Sequence, residues 1–92
     1  MDKYQQQRIG GAKQIIIMAH RLARAANIPL DKLEWDKGQQ IVERPIHVLT
    51  VTSGVKSVTA EFSDDWLADY PGRVGTEKAN HVLAGIIHQL SQ

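Results

Sequence analysis

The residues of this chain best able to do chemistry are its four histidines and three clustered aspartates, Asp64, Asp65 and Asp69, beside Trp66. Carboxylates so close together could serve as a paired acid and base. Two acids in the first turn of a helix also complement the positive end of its dipole, and that capping role is the better reading. His81 and His88 lie seven positions apart, about 10.5 Å along a helix, too far to share one metal. His20 and His47 could join them only through the fold. No serine or threonine stands in a G-x-S-x-G setting. Gly10-Gly11 and Gly72-Arg73-Val74-Gly75 lack the strand, spacing and Lys-Ser/Thr of a phosphate loop. The second could offer N–H groups to an anion ahead of a helix starting at Thr76, although such loops more often merely connect elements. Cysteine is absent, which removes disulfides, thiolate ligands and thiol nucleophiles. Catalysis, a metal site and a cofactor are therefore not expected.

The charge distribution carries the stronger signal. Lys3 to Leu30 contains Lys3, Arg8, Lys13, Arg21 and Arg24 and no Asp or Glu. After Leu30, nine acids outweigh six bases, so the formal net charge of +1 conceals a basic segment followed by an acidic one. Such separation creates a one-signed surface able to attract an anionic partner. With 92 residues, 42% hydrophobic and 23% charged, the chain reads as a single domain over residues 1–92. The run Ile15-Ile16-Ile17-Met18-Ala19 is too short for a signal-peptide core or a membrane span. The start is read as mature protein, the location as cytoplasmic, and no membrane partner is expected.

The elements that must position these residues follow from periodicity. Asp2 to Gln5 has capping-box spacing, and a helix can run from there to Asn27, stopped by Ile28-Pro29. Gly10-Gly11 argues against complete regularity, since each glycine costs about 1 kcal/mol relative to alanine. Ala12, Ile15, Ile16, Ala19, Leu22, Ala23 and Ala26 share one face of this helix. Lys13, His20, Arg21 and Arg24 share the other, with Ile17 among them. Over Leu30–Arg44, the turn Asp36-Lys37-Gly38-Gln39 could join a strand near Leu33–Trp35 to one at Gln39–Glu43; a helical turn at Pro29–Leu33 fits equally. Ile46–Thr52 and Val55–Phe62 form a hairpin around a Ser53-Gly54 loop, pairing Leu49 with Val58 and His47 with Ala60. The face with Leu49, Val51, Val58 and Phe62 is the expected core; that with Thr50, Ser57 and Thr59 is partly exposed. Ser63 caps a short helix ending at Pro71-Gly72, with Trp66, Leu67 and Tyr70 inward. Thr76 caps a last helix in which Ala79, Val82, Leu83, Ile86, Ile87 and Leu90 recur at i, i+3, i+4 spacing. The fold class is α+β: a long N-terminal helix, a two- or three-stranded antiparallel sheet with a hairpin at 46–62, a short helix and a C-terminal amphipathic helix.

The order helix, strands, helix resembles that of double-stranded RNA-binding domains, with Thr76–Asn80 overlaying the start of their last helix. That family clusters lysines there to grip phosphates; this chain has only Lys78, and the helix at Asp64–Tyr70 interrupts the pattern, so membership is not inferred. The hairpin Ile46–Phe62, then Ser63-Asp64-Asp65-Trp66, Pro71-Gly72 and a terminal helix, resembles in size and element order the small phage-encoded anti-CRISPR proteins. That resemblance implies a non-catalytic inhibitor binding the protein or guide-RNA surface of a CRISPR surveillance complex. From the residues themselves, the expected function is that of a binding protein docking on a nucleic acid, a nucleoprotein complex or an acidic protein surface. Lys13, His20, Arg21 and Arg24 are its expected contact face, joined by Arg8. The alternative class is a structural or regulatory module that self-associates, motivated by Ile17 on the basic face and Val48 on the threonine face.

Overall fold

The structure, a computed structural model, describes residues 3–36, 45–70 and 72–92. Helix α1 (Lys3–Ala25) is followed by strands β1 (Lys32–Trp35), β2 (Ile46–Ser53) and β3 (Lys56–Ser63), then by α2 (Asp64–Asp69) and α3 (Arg73–Leu90). The strands form one antiparallel sheet in the order β1-β2-β3. This is the expected α+β architecture, with its third strand at Lys32–Trp35 pairing with β2. The expected strand at Gln39–Glu43, the turn residues Lys37–Gln39, the cap Asp2 and Pro71 lie outside the described residues.

One face of the sheet builds the core. Trp35, Leu49, Val51 and Phe62 alternate inward and meet Ala12, Ile15 and Ala19 of α1, Leu67 of α2, and Ala79, Leu83, Ile86 and Leu90 of α3. Each large side chain here contributes about 1.5–3 kcal/mol relative to an exposed one. Trp35, Phe62 and Trp66 meet edge to face, with ring centroids 5.4 and 6.2 Å apart. The opposite sheet face carries Glu34, Thr50, Thr52, Ser57, Thr59 and Glu61, exposed or half-buried as its polar alternation requires.

The hairpin register differs from the expected one by two residues. Leu49 pairs with Ala60 and His47 with Phe62, because the loop is Gly54-Val55 and Ser53 pairs with Lys56. Gly54 has φ +61°. Glycine at the first loop position with positive φ there alone fits the type II′ turn, whose twist matches that of the strands. The Asp31 carboxylate accepts the Gly54 N–H at 2.5 Å and adds a tertiary anchor. A shift of two leaves every side chain on its expected face, because the strand period is two.

Both long helices end or begin differently from expectation for identifiable reasons. Asn27 adopts φ +58°, and its N–H bonds the Arg24 carbonyl while that of Ile28 bonds Ala23, which is a Schellman termination. Ala26 therefore lies past the helix and is exposed, not on the core face. Replacing Asn27 with valine, which resists the left-handed region, is expected to cost about 1–2 kcal/mol in urea denaturation. An unchanged midpoint would show that the terminus relaxes freely. At the other end of the chain, α3 starts three residues before Thr76. Gly72 is the N-cap, and the Asp69 carboxylate receives the Gly75 N–H at 2.9 Å. Ser63 occupies the N-cap position of α2 without a side-chain cap bond.

Gly10 and Gly11 sit within a continuous α1 instead of interrupting it, but for different reasons. A Cβ on Gly11 would collide with the Leu67 backbone, whose carbonyl carbon would stand only 2.7 Å away. Glycine at this position is what lets α1 lie directly against α2. A Cβ on Gly10 would meet nothing within 4 Å.

Candidate nucleic-acid interface

The outward face of α1 is a set of three rows at seven-residue spacing. Lys3, Gly10, Ile17 and Arg24 form the central row; Gln7, Gln14 and Arg21 flank it on one side, and Gln6, Lys13 and His20 on the other. All ten residues are exposed, and none is acidic. Ile17 retains 50% exposure at the centre of the face. The structure thus brings Lys13, His20, Arg21 and Arg24 together on one solvent-facing surface. None of the four makes a salt bridge with a described residue. The Arg21 guanidinium stands at the margin, close enough to Tyr70 for its charge to act on the phenol. Burial pushes that phenol up, against the opposing pull of Arg21 and of the hydrogen bond to Asn80.

Arg8 is a correction. The residue is 5% exposed and its side chain lies in the interior, not with the other four residues. Five residues before Lys13, it falls about 140° round the helix, beside Ile15 and Ala19. There its Nε and Nη2 donate to the two oxygens of Asp64 at 2.5 and 3.0 Å, and its Nη1 donates to Gln5 at 2.6 Å. His47 Nε2 lies 2.6 Å from Asp64 Oδ1, with the imidazole fully buried in the core face of β2. The Asp64 N–H bonds the Pro45 carbonyl at 3.0 Å.

This cluster ties α1, β2 and the start of α2 to a single carboxylate. Burial works to raise the Asp64 carboxyl. The hydrogen bonds and charges of Arg8 and His47 outweigh it and hold the group below the usual carboxylate value of 3.8. Both oxygens are engaged within the fold, so the arrangement serves to anchor. Because Arg8 is clamped inward, the rotation of α1 about its axis is set, and the acid-free rows are turned to solvent.

The other candidate groups separate. Asp69 caps α3 and Asp65 is exposed, so the three aspartates do not converge on one site. The Gly75 amide, which could have met an external anion, is taken by Asp69. His20, His81 and His88 are exposed on the two long helices, while His47 is enclosed with Trp35 edge-on at 6.4 Å between ring centroids. Among the described residues, no group of three or more His, Asp or Glu is placed to hold a metal ion. No helix of the described residues is long and apolar enough to cross a membrane.

The sequence reading missed the Arg8–Asp64–His47 cluster. Its members are separated by as many as 56 positions, and no local spacing announces it. The available clue was position: Arg8 lies on the same helical face as the apolar stripe. A comparison with models of known protein families, with curated proteins and with solved structures found no match to this chain.

Proposed function

We propose that the protein is a non-enzymatic binding protein that docks on a nucleic acid or nucleoprotein complex through the outer face of α1. The observation supporting this reading is the exposed, acid-free surface that combines Lys13, His20, Arg21 and Arg24 without salt bridges to described residues. Cations presented in this way form charge-assisted contacts with phosphates, and binding releases the counterions condensed on the nucleic acid. If Lys13, Arg21 and Arg24 each neutralise one phosphate, raising salt fourfold weakens binding roughly 40-fold. In line with the resemblance drawn from the order of its elements, inhibition of a CRISPR surveillance complex is one concrete form of this function.

The test is an affinity pull-down from host lysate, with and without nuclease and at two salt concentrations, using wild type and the double variant Arg21→Glu/Arg24→Glu. The expected result is salt-sensitive recovery of nucleic acid or a nucleoprotein complex by wild type and none by the variant. Both substituted positions are exposed, so the variant should stay folded, with a midpoint lowered only slightly by the acid in the last turn of α1. A folded double variant that retains the same partner would rule out this face. A salt-insensitive dimer with no other partner would replace the proposal with self-association.

A further inference from the structure

The rows of α1 specify more than negative charge. Building on the proposed function, we infer that the partner is duplex DNA and that the outer face of α1 enters its major groove. Two observations carry this.

The first is the two-sided layout. A helix lying along a single phosphate strand needs its cations on one side only. Here Lys13 and His20 flank the central row on one side, Arg21 flanks it on the other, and Lys3 and Arg24 stand towards its ends. Each flank also carries glutamine: Gln6 on one, Gln7 and Gln14 on the other. Such a surface matches a groove with a phosphate wall on either side. A helix with its side chains is about 10–12 Å across, and the major groove of B-form DNA is about 12 Å wide. The corresponding groove of A-form RNA is too narrow and deep for side chains to read.

The second observation concerns the middle of the face. Gly10 disfavours the helix, yet the fold does not require it, because a Cβ there would meet only open space. Ile17, two turns further on, is half-exposed with no role in the core. In the groove, Gly10 allows close backbone approach to the base edges and Ile17 offers an apolar contact to a thymine methyl. Gln14 beside them can both donate to and accept from a base edge, as glutamine does with adenine.

The experiment is fluorescence anisotropy with a labelled pool of random 30-base-pair DNA duplexes, the matching RNA duplexes, single-stranded DNA and poly-glutamate. The variants are Gly10→Leu, Gly10→Ala and Ile17→Ser, each checked by thermal melting. DNA duplex is expected to bind at least tenfold more tightly than the other probes. Gly10→Leu is expected to lower that affinity at least tenfold, and Gly10→Ala less, with melting unchanged or raised. Equal binding of DNA and RNA duplexes, or wild-type DNA affinity in Gly10→Leu, would overturn the groove assignment while leaving a phosphate-binding face intact. Poly-glutamate bound as tightly as DNA would overturn it in favour of a general polyanion surface. Failure to bind any nucleic acid, as naked polymer or in a nucleoprotein complex from lysate, would overturn this inference and the proposed function together.

Discussion

Substitution of Asp64 by alanine is expected to lower stability by about 3–5 kcal/mol, because it removes the carboxylate that Arg8 and His47 both contact in the interior. A domain of this size has a total stability of roughly 5–14 kcal/mol, so the loss takes up much of the margin. The Arg8 side chain is only 6% exposed and shares a face of α1 with the buried Ile15 and Ala19. A control separates the lost attraction from the cost of the buried charge that remains. Arg8→Met combined with Asp64→Leu is expected to recover part of the loss, as apolar replacement of a buried ion pair commonly does. A single variant as stable as wild type would show that water reaches the cluster and that α1 is not anchored there.

The same carboxylate gives a pH signature of known sign. The folded-state value lies below 3.8, so on acidification the unfolded chain takes up this proton first. The contribution of Asp64 is therefore fully present above that value, and is lost as pH falls below it through the folded value. Urea titrations of wild type and Asp64→Asn should differ by a constant amount near neutrality and converge in acid. A difference that persists unchanged to the most acidic condition would show that the carboxylate is not held low.

Gly11→Ala is the second large effect. Alanine is the better helix former by about 1 kcal/mol, so propensity alone predicts stabilisation. The structure reverses the sign. The added methyl meets the Leu67 backbone, which cannot move aside as a flexible side chain could, and forcing α1 and α2 apart is expected to cost about 2–3 kcal/mol net. The neighbouring change Gly10→Ala enters open space and is expected to stabilise by up to about 1 kcal/mol. Opposite shifts of the denaturation midpoint from adjacent glycines are the readout. Two stabilising shifts would show that the helices are not in contact at Gly11.

Much of the architecture was legible from local pattern. The inward stripe Ala12, Ile15, Ala19, Ala23 and the series Ala79, Leu83, Ile86, Leu90 are periodic over consecutive turns, so the two long helices and their buried faces followed. The alternation in Ile46–Thr52 likewise assigned Leu49 and Val51 inward, and did so despite the wrong loop. Element ends were less legible, because they depend on partners brought in by the fold: Asp69 caps α3 from the preceding helix, and Asp31 holds the Gly54 turn.

By itself the sequence determined the helices, the hairpin, their inward faces and the absence of acids from Lys3 to Leu30, and left the strand at Lys32–Trp35 open. These are properties of short windows and of composition, on which periodicity and charge act directly. Only the tertiary structure decided what Arg8 pairs with and what the two glycines do. Arg8 belongs to the same basic run as Lys13, yet a carboxylate 56 positions away draws it inside. Gly10 and Gly11 are the same residue type side by side, and only the path of α2 distinguishes them. Both outcomes depend on contacts between segments remote in the chain, which no local spacing encodes.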